Sequence, residues 1–378
     1  MSLAQTQTAA FTDSKKHYEI LDSLRGVAAI MVVCFHILEI FSEGDHKKQI
    51  INHGYLAVDF FFLLSGFVIG YAYDDRWNKM TLIGFFKRRL IRLHPMIIMG
   101  MTIGALLFYF GGSQALFPKI VHTHYWQLLL VMLISYTLLP IPPSFDIRGW
   151  DEMYPLNGPA WSLFFEYIGN ILYAVFIRKL STLLLSALVL LCACALVLFA
   201  VKQGDIIGGW SLDPLQLRIG FTRLLYPFLA GLLLKRVCKP GQIKNSFLIS
   251  SLALIAIFSI PRLGGSENFW MNGLYDSLSI ILLFPLIVFI GASGTIKGRF
   301  ALVCGRFLGN ISYPLYIIHY PLIYLFSAWV VDNKVQIKNG LLWGLVVLTA
   351  SVIIAYLCFR WYDVPARKWL AKKFLKKN

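Results

Sequence analysis

The sequence predicts an all-α fold: a polytopic membrane helical bundle of about ten transmembrane helices plus one partial or re-entrant helix. Three observations predict it. The 378 residues are 58% hydrophobic and only 14% charged, with a mean hydropathy of +0.67, whereas about a quarter of residues are charged in soluble domains. Roughly half of the chain falls in apolar runs of about 20 residues, the length that crosses a bilayer. Finally, 35 Lys and Arg face 19 Asp and Glu, a formal net charge of +16, and the surplus sits in short loops between apolar runs. In a soluble protein that charge would suggest nucleic acid. Between spans it is the positive-inside pattern, so no nucleic-acid partner is expected. A basic cytoplasmic pocket can also hold a phosphorylated small molecule or an anionic lipid headgroup.

The elements follow in order. Residues 1–19 are polar, carry Lys15 and Lys16, and precede no small-residue cleavage pattern, so they are expected to remain as a cytoplasmic segment with the first helix as signal anchor. Apolar runs then lie at 21–41, 55–73, 93–112, 125–141, 159–177, 181–201, 216–234, 246–260, 271–292, 307–331 and 341–361. Basic clusters occur at Lys15/Lys16, Arg76 to Arg92, Arg178/Lys179, Lys235 to Lys244, Lys297 to Arg306, and from Arg360 onward. If all are cytoplasmic, each interval must hold an even number of crossings. Only the interval from Arg92 to Arg178 breaks parity, with three runs. The shortest of these, 125–141, ends in Pro140, Pro142 and Pro143, and is therefore assigned as partial or re-entrant. Ten crossings with both termini cytoplasmic result. The domain organisation is a cytoplasmic segment 1–19, a transmembrane domain 20–362 and a basic tail 363–378. The stretch 142–158, with Asp146, Arg148, Asp151 and Glu152, would face outward. The six cysteines lie in or beside apolar runs without a C-x-x-C pair, so neither disulfides nor a cysteine zinc site is expected.

Ionisable side chains at membrane depth are rare and usually functional, because an unpaired buried charge is costly. Counting about 1.5 Å of rise per residue, His36, His319, Asp59, Glu166 and Arg223 occupy similar depths in the outer half of five different helices. They can pair off to hold helices together, form a proton relay, or build a catalytic site. In the run RGVAAIMVVCFH, eleven residues separate Arg25 from His36, some 20° past three full turns. The two therefore share one helix face, about 16 Å apart along the axis. A phosphorylated donor with a long thin arm suits that stripe, its phosphates at Arg25 and its reactive end near His36. In FFKRRLIRLHP, Arg88, Arg89 and Arg92 lie beside the third span. Arg89 and Arg92 are i, i+3 neighbours able to grip one phosphate. His122 and His124 form an H-x-H with no nearby third ligand, which suits a solvated loop, and no metal is expected.

These residues resemble the acyltransferase family 3 of bacterial integral-membrane O-acyltransferases. The matching segments are LDSLRGVAAIMVVCFH, GYLAVDFFFLLSGF, FFKRRLIR, PAWSLFFE and LGNISYPLYIIHYPL, in the family's order from about residue 20 to 325, and the tail WYDVPARKW extends the match. Two departures stand out: Tyr167 follows Glu166 where many members have a second acid, and Asp363 stands where a Glu is common. The resemblance implies a location in the bacterial inner membrane, an acyl-CoA donor entering from the cytoplasm, a glycan or lipid-linked saccharide acceptor, and an essential Arg25–His36 pair. No extracytoplasmic hydrolase-like domain of the kind some members carry is expected.

The reading is thus an O-acyltransferase, with acetyl-CoA as donor. Arg25, Arg88, Arg89 and Arg92 would hold its phosphates and His36 would act as general base. Glu166 or Asp59 would orient His36 or bind sugar hydroxyls, while His319 or Arg223 would stabilise the oxyanion. An acyl-imidazole on His36 is the mechanistic alternative. The alternative from another class is a proton-coupled transporter or flippase of a sugar or lipid-linked glycan, whose inverted repeats are not visible in the sequence.

Overall fold

The computed structural model describes residues 17–42, 45 and 48–375. Lys15 and Lys16, most of the expected segment 1–19, and the last three residues of the tail lie outside the described residues. Among those described, the chain is helical and without strands. Every one of the eleven apolar runs contains a helix: α1 (Glu19–Glu39), α2 (Ala57–Tyr73), α3 (Leu82–Leu106), α4 (Tyr125–Tyr136), α5 (Ala160–Val175), α6 (Thr182–Gln203), α7 (Pro214–Val237), α8 (Ser246–Ser259), α9 (Trp270–Ala292), α10 (Arg299–Asp332) and α11 (Ile337–Phe374). The helix starts follow local chemistry. Thr81, Ser181 and Asp213 each accept a backbone N–H two or three residues into α3, α6 and α7, and Pro214 occupies the first turn of α7, where no N–H is needed.

Nine of the described helices are long and apolar enough to cross a membrane, α4 and α8 being shorter. The two short ones behave differently. The chain enters α4 from Lys119–Thr123 and reverses at Leu138, whose φ of +59° is a tight-turn conformation. It then comes back to its starting place, where the Thr123 hydroxyl donates to the Ile147 carbonyl (3.2 Å) and Lys119 N–H to the Arg148 carbonyl (3.3 Å). The run 125–141 thus leaves and returns to one place, the path of a partial or re-entrant segment. By contrast, α8 has 14 residues, about 21 Å of helix, yet joins both ends of the bundle. Ser246 lies against Gly294 beside Ile20 at the start of α1. At the other end the Phe258 carbonyl accepts His53 N–H (3.0 Å), and the adjoining Gly54 lies against Phe35 near the end of α1.

Two helix pairs form the centre, α1 with α10 and α2 with α7. In a membrane, close backbone approach and small residues supply the packing that water-driven burial supplies elsewhere. Gly66 and Gly231 do this reciprocally. A β-carbon at Gly66 would stand 2.0 Å from the Phe228 carbonyl oxygen, and one at Gly231 would stand 2.1 Å from that of Leu63. Prolines inside the helices free carbonyls one turn earlier, and side chains from neighbours take them. Asn157 donates to the Ile317 carbonyl freed by Pro321 (2.8 Å), and the Tyr226 hydroxyl donates to the Ile281 carbonyl freed by Pro285 (3.2 Å). The latter carbonyl lies in a π-helical turn, Ser279–Leu283, within α9. The last helix runs through position 363 to Phe374 with a second π turn, Phe359–Asp363, where Asp363 pairs with Arg367.

Candidate active site

Parallel packing of α1 on α10 brings His36 and His319 together. Their rings stack with centroids 5.6 Å apart, and the Tyr320 ring meets His36 edge-on at 4.8 Å. His36 Nδ1 lies 2.9 Å from a carboxylate oxygen of Glu39, one turn along the same helix. A ring nitrogen facing a carboxylate donates, so in the neutral imidazole Nε2 keeps its lone pair and is free to take a proton. His319 is fully buried, and its Nδ1 donates to the Leu315 carbonyl (3.1 Å). Its Nε2 has no hydrogen-bond partner among the described residues. In that tautomer Nε2 is an acceptor, suited to receive a hydroxyl proton rather than to steady an oxyanion.

Glu39, which the sequence reading did not single out, is therefore the carboxylate on His36; among the described residues neither Glu166 nor Asp59 bonds to it. Asp59 is fully buried and held by Arg223, itself 2% exposed, through Nη2 at 2.7 Å and Nε at 3.2 Å. Arg223 also donates to the carbonyls of Gly208 and Tyr55. With four of its five N–H groups so committed, Arg223 ties α2 and α7 to the α6–α7 loop and keeps one Nη1 hydrogen uncommitted among these bonds. Glu166 accepts from Arg89 (2.8 Å) and from the Ser65 hydroxyl (2.9 Å), joining α5, α3 and α2.

The basic residues gather toward the opposite end of α1 from His36. Arg25 pairs with Asp22 at 3.2 Å, and Asp22 is also met by His17 at 3.0 Å. Arg92 and Arg89 on α3 are close enough to Arg25 to repel it, while Glu166 attracts it. Arg92 is exposed and faces Asp363 and Arg367 of α11 across the same mouth. Arg89 is buried, with Nε unpartnered among the described residues. Arg88 instead turns its guanidinium back to the Gly84 carbonyl at 3.0 Å. Arg25, Arg89 and Arg92 thus form one cationic mouth, with acids that keep its net charge modest. Such a mouth fits phosphate oxygens, which guanidinium groups grip in pairs.

On the far side of His36 lies a second group. The Tyr324 ring packs on Tyr320 at 4.7 Å, its hydroxyl donates to Glu152 (2.6 Å), and the Arg148 guanidinium sits 3.7 Å above it. Burial holds the Glu152 carboxyl at about 7, far above its ordinary value. The loop carrying Arg148 and Glu152 gave no sequence signal for this, because its meeting with α10 depends on the whole bundle. Glu39, three residues after His36 on one helix face, was readable from spacing alone.

A family model described as an acyltransferase domain matches residues 18–360. Among curated proteins, the chain is 32% identical over 192 residues to "Protein 2 in picA locus" of Rhizobium radiobacter, covering 48% of this chain and 96% of that protein. It is 24% identical over 374 residues to the O-acetyltransferase OatA of Staphylococcus aureus (strain NCTC 8325 / PS 47), covering 96% of this chain. The chain spans 59% of the length of that relative. No solved structure matches it. With the model match running over nearly all of the helical bundle and through Arg25, His36, Arg89, Arg92, Glu152 and His319, the chain belongs to the acyltransferase 3 family of integral-membrane acyltransferases.

Proposed function

We propose that the protein is a membrane O-acetyltransferase that moves an acetyl group from acetyl-CoA to a hydroxyl of an exported or cell-surface glycan. One observation carries the reading: Arg25, which α3 joins with Arg89 and Arg92 into a cationic mouth, lies on the same face of α1 as His36, about 16 Å along the axis from it. Acyl-CoA has that form, with phosphates at one end and a thioester at the end of a thin arm. The mouth would face the cytoplasm of a bacterial inner membrane, with both termini on that side and the tail 363–378 beside it. The transmembrane domain 20–362 would then hold donor and acceptor at opposite ends of one site.

In the reaction His36 Nε2 takes the proton of the acceptor hydroxyl as its oxygen attacks the thioester carbonyl. Glu39 stabilises the imidazolium that forms. The tetrahedral oxyanion collapses, the C–S bond breaks, and the thiolate leaves with the proton returned by His36. His319 Nε2 would accept from a second hydroxyl of the same sugar and so turn the reacting hydroxyl toward His36.

Purified protein given radiolabelled acetyl-CoA and candidate glycans is expected to label the glycan. His36→Ala should lower kcat by about 10²- to 10⁴-fold, and Glu39→Gln should lower it with little change in KM for acetyl-CoA. Arg89→Gln and Arg92→Gln should instead raise that KM about tenfold or more, because charge-assisted phosphate contacts are lost. Full turnover by a well-folded His36→Ala protein would remove the base. Sugar-driven proton uptake into proteoliposomes, with no label transferred, would put the transporter reading in its place.

A further inference from the structure

The re-entrant segment leaves a groove at the end of the bundle nearest His36. A cavity of about 390 Å³ opens between the residues that lead into α4 and those that return from it, within the range of about 300 to 1,000 Å³ common for small-molecule sites. Trp126 and Phe145 give it aromatic walls, and His122 and Gln127 give it hydrogen-bonding side chains. Its one cation, Lys119, is paired with its one carboxylate, Asp146, at 3.2 Å. The groove therefore offers no net charge to an anion, but apolar faces and hydrogen bonds to a polyhydroxylated ring. The two walls are fixed to each other by the Thr123–Ile147 hydrogen bond, so the shape is built before any ligand arrives.

A chain of packed side chains runs inward from the groove. Ile147 in its wall is followed by Arg148, whose Nη1 is buried and without a hydrogen-bond partner among the described residues. Arg148 lies over Tyr324, Tyr324 on Tyr320, and Tyr320 on His36. Three side chains thus connect the groove to the proposed base.

We propose that this groove is a saccharide subsite, holding a sugar residue of the acceptor other than the one that is acylated. The proposal rests on the glycan-acylating reading above and extends it to how a chain of sugars is chosen over a single one. Trp126, 60% exposed, supplies the stacking face.

The test uses the full chain in nanodiscs with methyl glycosides and the matching tetrasaccharides of glucose, galactose, mannose and N-acetylglucosamine. Saturation-transfer NMR should detect at least one tetrasaccharide on the wild type, and Trp126→Ala should weaken that binding about 5- to 10-fold, with Trp126→Phe restoring most of it. Leu133→Ala, on an exposed part of α4 outside the groove, should bind like the wild type and report that the helix is intact. With radiolabelled acetyl-CoA, the preference for tetrasaccharide over monosaccharide in kcat/KM should fall by the same factor in Trp126→Ala. Absence of tetrasaccharide binding, or binding indifferent to Trp126, overturns the subsite. Binding that depends on Trp126 with no acetyl transfer upholds the subsite and removes the acyltransferase reading alone.

Discussion

Burial raises the Glu152 carboxyl from its ordinary value of 4.5 to about 7, against the opposing pull of the Tyr324 hydroxyl and the Arg148 guanidinium; Asp146 and Glu39 add to the rise. Between those two values the folded protein holds a proton that the unfolded chain has released. Stability from this group is therefore full below about pH 4.5, declines as pH rises, and is gone above about pH 7. Thermal melts in detergent are expected to show the wild-type midpoint falling more between pH 5 and 7.5 than that of Glu152→Gln, which keeps an acceptor for Tyr324 but cannot titrate. Equal pH slopes would place the proton elsewhere. Not every such residue was legible in the sequence. Depth counting put His36 and His319 at nearly the same height, but not side by side. It could not say that Asp59 would spend itself on Arg223, because equal depth on five helices leaves their order around the bundle open.

Helices were the most legible level, for a run of about 20 apolar residues has few other ways to satisfy its backbone in hydrocarbon. The turn chemistry of 125–141, three prolines within four residues, carried enough information to mark that element as re-entrant. What sequence could not supply was partnership: α1 lies on α10 and α2 on α7, far apart along the chain. The α2–α7 contact depends on the absence of side chains at two positions. Gly66→Leu is expected to drive the helices apart and to abolish folding into detergent-stable protein, with a loss of several kcal/mol in line with severe overpacking. Leu248→Ala, at an exposed position on α8, should be tolerated. Size-exclusion profiles and melting midpoints of the two variants check this; a monodisperse Gly66→Leu protein with wild-type melting would mean that the contact gives way easily.

For the whole molecule, the parity of basic loops and a re-entrant α4 together predict both termini on one side of the membrane. Cysteines introduced at Trp150 and at Ser266 are expected to react with a membrane-impermeant maleimide in intact cells. Those at Lys179, Lys239 and Lys372 should react only after permeabilisation. Labelling of position 372 in intact cells would make the number of crossings odd and overturn the ten-span arrangement.

The Asp59–Arg223 clamp also bears on how the chain is made. Its two halves are 164 positions apart, so α2 enters the membrane long before α7 is synthesised. Until then a carboxylate in the first turn of α2 lacks its cation, at a cost below the roughly 2.5 to 3.5 kcal/mol of an acid at a helix centre. Nascent chains halted after α6 are thus expected to hold α2 loosely, as slipping or partly exported helices open to membrane proteases. Arrival of α7 would lock it. A pair that looks purely architectural in the finished protein is thereby expected to act during synthesis as a checkpoint, and protease protection of α2 before and after α7 emerges is the measurement that checks it.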